Sequence, residues 1–288
     1  MKPLNKITII GVGLIGGSFA KGLKQAGLVT TVMGFGQNES NLQKAIELGV
    51  IDEYSTDIQT AVAGSDLIML AVPLGIMEAM LEEMKPYLKQ GVIITDGGSA
   101  KSSVINSAIK VFGHLPDFFV PGHPIAGKEK SGVTAADPTL YINHRVILTP
   151  AEHTNADAVK IVTQLWQALG ANVEVMSAEQ HDDIFAATSH LPHLLAFSLV
   201  DMLDEHPELG NVFPYTAGGF RDFTRIASSD ATMWRDIALT NSAAIVKWLK
   251  NYQQSIAALT ELVEAKEGEQ LFKLFENAKS ARDRHIGH

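Results

Sequence analysis

Along the first half of the chain, short apolar, β-branched runs alternate with longer stretches whose apolar residues recur every three to four positions. "KITIIGVG" is a run of the first kind, and "SFAKGLKQAG" after it has helical spacing with Gly27 as its stop. The alternation continues with "TVMGF", "DLIMLAVP", "VIITDG" and "DFFVPG" as strands, and with "ESNLQKAIELG", "IMEAMLEEMKPYL" and "KSSVINSAIKVF" as the helices between them. Such an order predicts an α/β domain, a parallel sheet with helices on both faces. "HRVILTP" and "ANVEVMS" predict two more strands around the helix "ADAVKIVTQLWQALG", completing a first domain over residues 1–177. From Ala178 the pattern turns to long helical periodicity, in "AEQHDDIFAATSHLPHLLAFSLVDML" and "ATMWRDIALTNSAAIVKWLKNYQQSIAALTELVEA". Residues 178–288 are therefore predicted to form an all-α second domain.

Between the first strand and helix lies "GVGLIGG", which fits G-x-G-x-x-G at Gly11, Gly13 and Gly16. In a dinucleotide site these glycines serve the tight turn, the approach of backbone to pyrophosphate and close helix packing, with the helix N-terminus facing the phosphates. The motif alone is weak evidence, but its place between a strand and a helix near the chain start predicts a Rossmann-type dinucleotide-binding domain. The loop backbone through Leu14 and Ile15 is the expected phosphate contact. An acidic residue is usual about 20 positions on, to hold the adenine ribose. Here Gly36 stands in its place, followed by Gln37, Asn38 and Glu39, which can hydrogen-bond a ribose, and no arginine follows to take a 2′-phosphate. NAD is expected over NADP.

Composition narrows the picture. At about 150 residues per domain, the 288-residue chain has room for two. Hydrophobic residues at 46% and charged residues at 19% fit a globular protein, with only the polar tail "NAKSARDRHIGH" expected to be disordered. A net charge of −9 without a long Lys/Arg block argues against nucleic acid or an anionic membrane as the main partner, so an anionic ligand needs a local basic pocket. The absence of cysteine excludes disulfides, thiolate metal sites and cysteine nucleophiles, and fits a cytoplasmic protein. The start "MKPLNKITIIGVGLIGGSFA" looks like a signal peptide, yet four glycines from Gly11 to Gly17 make a poor signal core, and no run reaches the roughly 18 apolar residues of a membrane span.

Ligands of open α/β sheets bind beyond the carboxyl ends of the strands. That rule selects Pro73 after "DLIMLAV", the loop "DGGSAKS" with Asp96, Ser99 and Lys101, and "PGHPIAGKEKSG" with His123, Lys128, Glu129 and Lys130. A lone histidine in Gly-His-Pro is often a turn residue. At this edge, the favoured reading is a general base, since a neutral imidazole can accept a hydroxyl proton as a hydride leaves the same carbon. Ser99 is a candidate to orient that hydroxyl, with helix capping as its bland alternative.

Two clusters stand out in the helical half. His181, His190 and His193 invite a zinc reading, which is set aside because "SHLPH" is not a standard spacing and Pro192 disturbs the shared helical face. In "GGFRDFTRIASSD", Arg221 and Arg225 stand four apart, on one face of a helix, and are read as carboxylate clamps rather than surface charge. The residues thus reach a nicotinamide-linked dehydrogenase acting on a small carboxylated alcohol.

Over nearly its whole length the chain also resembles the prephenate and arogenate dehydrogenases of tyrosine biosynthesis, the bacterial cyclohexadienyl type in particular. "GVGLIGGS", "DGGSAKS", "PGHPIAGKEKSG", "ATSHLPH" and "GGFRDFTRIASSD" occur in that family's order. The resemblance implies oxidative decarboxylation of prephenate or arogenate, with hydride transfer from C4 to the nicotinamide. It implies His123 as the acceptor of the C4 hydroxyl proton and Ser99 as a group holding that hydroxyl and the nicotinamide. It makes Arg225 the main substrate-carboxylate ligand, places His193 and Arg221 in the same pocket, gives Glu129 a gating role, and implies a homodimer formed through the helical domain. A β-hydroxyacid dehydrogenase or imine reductase would share the architecture, but "GHPIAG" would have no role in it. A dinucleotide-sensing binding protein would have no need of His123.

Overall fold

The computed structural model describes residues 2–128, 130–206, 208 and 210–286. The predicted alternation is realised as a parallel sheet of six strands, β1 (Leu4–Ile10), β2 (Val29–Phe35), β3 (Glu53–Ser55), β4 (Leu67–Leu70), β5 (Ile93–Asp96) and β6 (Phe119–Val120). Their order, β3-β2-β1-β4-β5-β6, is the doubly wound one, with its switch point between β1 and β4. Helices α1 (Leu14–Gln25), α2 (Glu39–Glu47), α3 (Ile58–Val62), α4 (Met77–Met84), α5 (Lys101–Phe112) and α6 (Ala156–Ala168) cover it.

Alternation along the strands sorts side chains to two cores. Ile7, Ile9, Val32, Leu67 and Met69 pack with Phe19 and Leu23 of α1 and with Leu165 and Trp166 of α6. Ile10, Ile68, Leu70 and Ile94 pack on the opposite face with Met80 and Met84 of α4 and Val104 of α5. Helices on both faces follow from strands that are apolar at nearly every position.

Four features depart from the sequence reading. Helix α1 begins at Leu14, before the periodicity that starts at Ser18. Its first turn holds Gly16 and Gly17 against their propensity because space demands it: a Cβ on Gly16 would lie 2.5 Å from the Gly11 carbonyl oxygen and 2.6 Å from the Ile9 side chain. Strand β3 and helix α3 were not anticipated, since "EYS" is a polar three-residue edge and α3 is barely a turn longer than its cap, Asp57. The tail expected to be disordered is helical as far as His285, the end of α12 (Gly268–His285), whose last turn carries Arg282, Arg284 and His285 against the negative end of the helix dipole.

The fourth departure bears on function. "DFFVPG" divides at Pro121, which has no N–H to give a ladder. Phe119 and Val120 pair with β5, whereas β7 (Gly122–Pro124) pairs antiparallel with β8 (Arg145–Leu148), which runs parallel to β9 (Asn172–Val175). His123 thus lies in a separate three-stranded sheet rather than at the end of the parallel one.

Helix α7 (Ala178–Phe185), a π-helical turn over Ala186–His190, and α8 (Leu191–Asp204) form one continuous segment. Pro192 lies in the first turn of α8, where its missing N–H is tolerated, directly after the wide π turn. Helices α9 (Gly218–Thr224) and α10 (Ala231–Thr240) follow, and residues 1–242 form one compact unit. Residues 243–288, a second unit, contain α11 (Ser242–Glu264) beyond its first residue, and α12. Among the described residues, no helix is long and apolar enough to cross a membrane.

Candidate active site

The glycine loop has one open and two closed positions. Gly11 has φ +93°, and a Cβ there would lie 2.4 Å from the Ala71 carbonyl oxygen, so turn and packing both demand glycine. Gly13 differs, because a Cβ built on it meets no atom within 4 Å. Open space therefore faces its backbone. Helix α1 starts at this point with no side-chain cap on its N-terminal N–H groups. Uncapped N–H groups beside an approachable backbone fit a pyrophosphate. Tyr141 donates to the Ile15 carbonyl at 2.6 Å and ties this first turn to the body of the domain.

At the end of β2, Asn38 caps α2 by accepting from Asn41 N, and Glu39 accepts from the Tyr54 hydroxyl. Gln37 is exposed and is the one of the three predicted ribose partners whose side chain is unengaged among the described residues. Pro73 leads a 3₁₀ turn over Leu74–Ile76, held from α10 by Asp236, which accepts from Gly75 N at 3.3 Å.

The loop after β5 is fixed by a buried ion pair. The Lys101 ammonium donates to Asp96 and, at 2.6 Å, to the Gly122 carbonyl, and both charged side chains are inaccessible. Asp96 in turn accepts from Gly98 N at 2.7 Å and Gly122 N at 3.0 Å. One pair thus holds the Ser99 loop to the residue preceding His123. A Cβ on Gly97 would sit 3.1 Å from Ile15 and 3.7 Å from Pro124, so the glycine loop and the His123 strand converge here. Ser99 does not cap α5. Asp182 does so from α7, accepting from Lys101 N at 2.7 Å and Ser102 N at 2.8 Å, and the Ser99 hydroxyl has no partner among the described residues.

His123 is partly accessible. Its Nδ1 is 2.8 Å from Nε2 of His181, whose Nδ1 is 2.8 Å from Asp182 Oδ1. Phe185 packs edge-on to the His123 ring at 5.1 Å. Burial, then His181, Lys101 and His190, push the His123 imidazole well below the usual histidine range, so it is neutral at pH 7. Burial also lowers His181, against the pull of Asp182. Burial works to raise Asp182, but bonds from His181, Ser102 and Lys101 outweigh it and keep the carboxylate ionised.

The remaining predicted residues lie further along the same unit. His193 stacks on Trp234 at 3.8 Å and bonds the Ser189 carbonyl through Nδ1. The turn Arg225–Ser228 packs on α8, and the His193 pKa is lowered by burial, against the Ser189 bond, with Arg225 adding to the lowering. Arg221 is on α9, exposed, one turn before Arg225. Glu129 falls outside the described residues. The three histidines of the zinc reading are engaged separately: His181 meets His123, His190 bonds Asn241 at 3.1 Å and lies edge-on to Trp234, and His193 stacks on Trp234. Sequence reasoning gave no role to Asp182, Trp234 or the Asp96–Lys101 pair. "HDD" and "DGGSAK" carry no spacing signal, because their partners lie 58–81 positions away or across a tight loop.

Burial makes a testable statement about pH. His123, His181 and His190 all titrate lower in the fold than in the unfolded chain, His190 at about 4 against 6.5. The unfolded chain therefore binds more protons below pH 6.5, and stability that is complete above that value is lost as pH falls. His190 alone should contribute roughly 1 kcal/mol of this loss by pH 5.5, and His123 and His181 add to it in the same direction. Urea midpoints measured between pH 7 and 5.5, where ordinary carboxylates hardly titrate, should decline; constant midpoints would contradict the buried neutral histidines.

An open glycine loop at the switch point of a doubly wound sheet, with a neutral histidine fixed on the strand beside it, defines a dinucleotide-linked oxidoreductase. Residues 19–175 match the model of the prephenate dehydrogenase nucleotide-binding domain, and residues 177–277 that of the prephenate dehydrogenase dimerization domain. The chain belongs to the prephenate dehydrogenase family. It is 37% identical to the cyclohexadienyl dehydrogenase of Zymomonas mobilis, over 98% of this chain and 96% of that one. It is 38% identical to the prephenate dehydrogenase of Bacillus subtilis, over 96% of this chain and 75% of that one. Among solved structures it resembles the prephenate dehydrogenase of Aquifex aeolicus in complex with hydroxyphenyl propionate and NAD+, with a TM-score of 0.91, 38% identity, and coverage of 97% of this chain and 98% of that one.

Proposed function

We propose that this protein oxidatively decarboxylates prephenate to 4-hydroxyphenylpyruvate, passing a hydride to NAD, as a step of tyrosine biosynthesis. The observation that carries the reading is His123, a neutral imidazole tethered through Nδ1 beside the glycine loop, with Nε2 unbonded among the described residues. Full-length similarity to prephenate and cyclohexadienyl dehydrogenases supports it. Residues 1–177 bind the dinucleotide through Gly11, Gly13, Leu14, Ile15, Gly16, Gln37 and Pro73 and carry His123 and Ser99, and residues 178–288 supply Arg221, Arg225 and His193. NAD, when bound there, supplies the hydride acceptor.

His123 Nε2 accepts the C4 hydroxyl proton as the C4 hydride leaves. The ring carboxylate departs as CO2, its bonding electrons complete the aromatic ring, and the proton returns to the phenolic oxygen. Prephenate and NAD+ thus give hydroxyphenylpyruvate, CO2 and NADH with no net proton. Ser99, whose hydroxyl is not consumed by capping, orients the C4 oxygen. Arg225, with Arg221 and His193, receives the carboxylates, and Glu129 guards the entrance. The exposed apolar residues Tyr252, Ile256, Phe272 and Phe275 on α11 and α12 suit a homodimer contact. A cytoplasmic location accords with the absence of cysteine.

Arogenate is the second reading, resting on similarity to the Synechocystis arogenate dehydrogenase, 27% identical with a TM-score of 0.82. Purified protein given prephenate and NAD should form NADH and release CO2. No NADH from prephenate or arogenate, with NAD or NADP, would overturn the proposal. Comparing the two substrates decides between the readings. Arg225→Ala should raise KM for prephenate by roughly 10- to 100-fold, the worth of a hydrogen bond to a charged group, with a smaller change in kcat. Unchanged saturation would remove Arg225 from the carboxylate site.

A further inference from the structure

The hydrogen bonds behind His123 form a directed chain. Asp182 is ionised, so its oxygens only accept. His181 Nδ1 must therefore carry a hydrogen and donate it to Oδ1. A neutral His181 then has a bare Nε2, which can only accept. His123 Nδ1 must carry the hydrogen in its turn, leaving the lone pair on Nε2.

The surroundings leave this direction no competitor. Asp182 is engaged on both oxygens, Oδ1 by His181 and Lys101 N, and Oδ2 by Ser102 N, so the carboxylate cannot rotate away. The Lys101 ammonium is spent on Asp96 and the Gly122 carbonyl. His190 bonds Asn241, and Asn241 also donates to the Asp182 carbonyl at 2.9 Å. His181 is fully buried, and its ring also packs against Phe185 at 4.5 Å.

We infer that His181 and Asp182 are positioning residues that fix His123 in the tautomer whose Nε2 accepts the substrate's hydroxyl proton. The inference rests on the proposed role of His123 as the base, and it extends that role to two residues that do not touch the substrate. Because Asp182 also caps α5, the same anion orients the base and anchors the loop that carries Ser99. A proton gained by His123 is stabilised through His181 by a carboxylate two hydrogen bonds away.

The test uses Asp182→Asn in the full chain. Asparagine still caps helices well, but it removes the charge that holds the His181 hydrogen on Nδ1: with its amide toward His181 it donates to Nδ1 and reverses the chain, and with its oxygen there it leaves Ser102 N facing the amide. The direction is then no longer fixed, and part of the His123 hydrogen moves to Nε2. Turnover should fall by about 10-fold or more with KM nearly unchanged, in the direction of a catalytic histidine held in the wrong tautomer. ¹⁵N spectra of histidine-labelled protein, recorded without substrate, should show the His123 hydrogen on Nδ1 in the wild type and a fraction of it on Nε2 in the variant. His181→Phe keeps a ring in place, removes the bond, and should also lower kcat while thermal melting confirms a folded protein. A wild-type His123 protonated on Nε2, or kcat within about threefold of wild type in both variants, would overturn the inference. Normal turnover by His123→Asn would instead remove the base itself, a separate failure, because the tautomer spectrum does not depend on catalysis.

Discussion

His123→Asn should lower kcat by about 10²–10⁴ and alter KM much less, because a general base acts chiefly in the transition state. Asparagine can hydrogen-bond the C4 hydroxyl but cannot hold its proton, so ground-state binding survives while chemistry slows. The site also predicts the pH profile. With a pKa well below 6.5, His123 stays neutral, and so able to accept a proton, on the acidic side of neutrality. Activity should be full above that depressed pKa and fall only as pH drops through it, whereas an ordinary histidine would lose half its activity at about 6.5. In His123→Asn this acid limb should disappear. Dinucleotide binding, followed by titration calorimetry, should match wild type, since the glycine loop is untouched. A variant with turnover near wild type would return His123 to a packing role beside Phe185 and His181.

The fold and the dinucleotide loop are legible in the sequence. Gly11 and Gly16 announce the loop because neither has room for a Cβ, Gly13 leaves open space before its backbone, and strand-edge placement selects His123 and Ser99 as candidates. What escaped the sequence is whatever depends on a partner far along the chain. Nothing in "GHP" says that its ring would be tethered by His181, 58 positions on. Nothing in "SAKS" says that α5 would borrow its cap from Asp182. Local pattern fixes elements, whereas a buried polar network is specified by tertiary packing and becomes visible only when its members meet. The misplaced strand shows the same limit on a smaller scale. "DFFVPG" reads as one apolar run, yet Pro121 splits it between two sheets, and the split delivers His123 to α7.

The Asp96–Lys101 pair gives the second large effect, on stability. Both side chains are inaccessible, so each charge depends on the other in place of water. Lys101→Met would leave the Asp96 carboxylate buried with only Gly98 N and Gly122 N as donors, and should destabilise the fold by about 3–5 kcal/mol. Adding Asp96→Asn removes the stranded charge while retaining an acceptor for one of those N–H groups. The double variant should therefore be more stable than Lys101→Met alone, even though it carries one substitution more. Urea unfolding of the two variants and wild type measures this directly, and a double variant less stable than the single one would mean that the pair does not act as a unit. Loss of Lys101 also frees the Gly122 carbonyl, one residue before His123. The surviving folded fraction of Lys101→Met should accordingly show reduced kcat, which would link the stability of this buried pair to the placement of the proposed base.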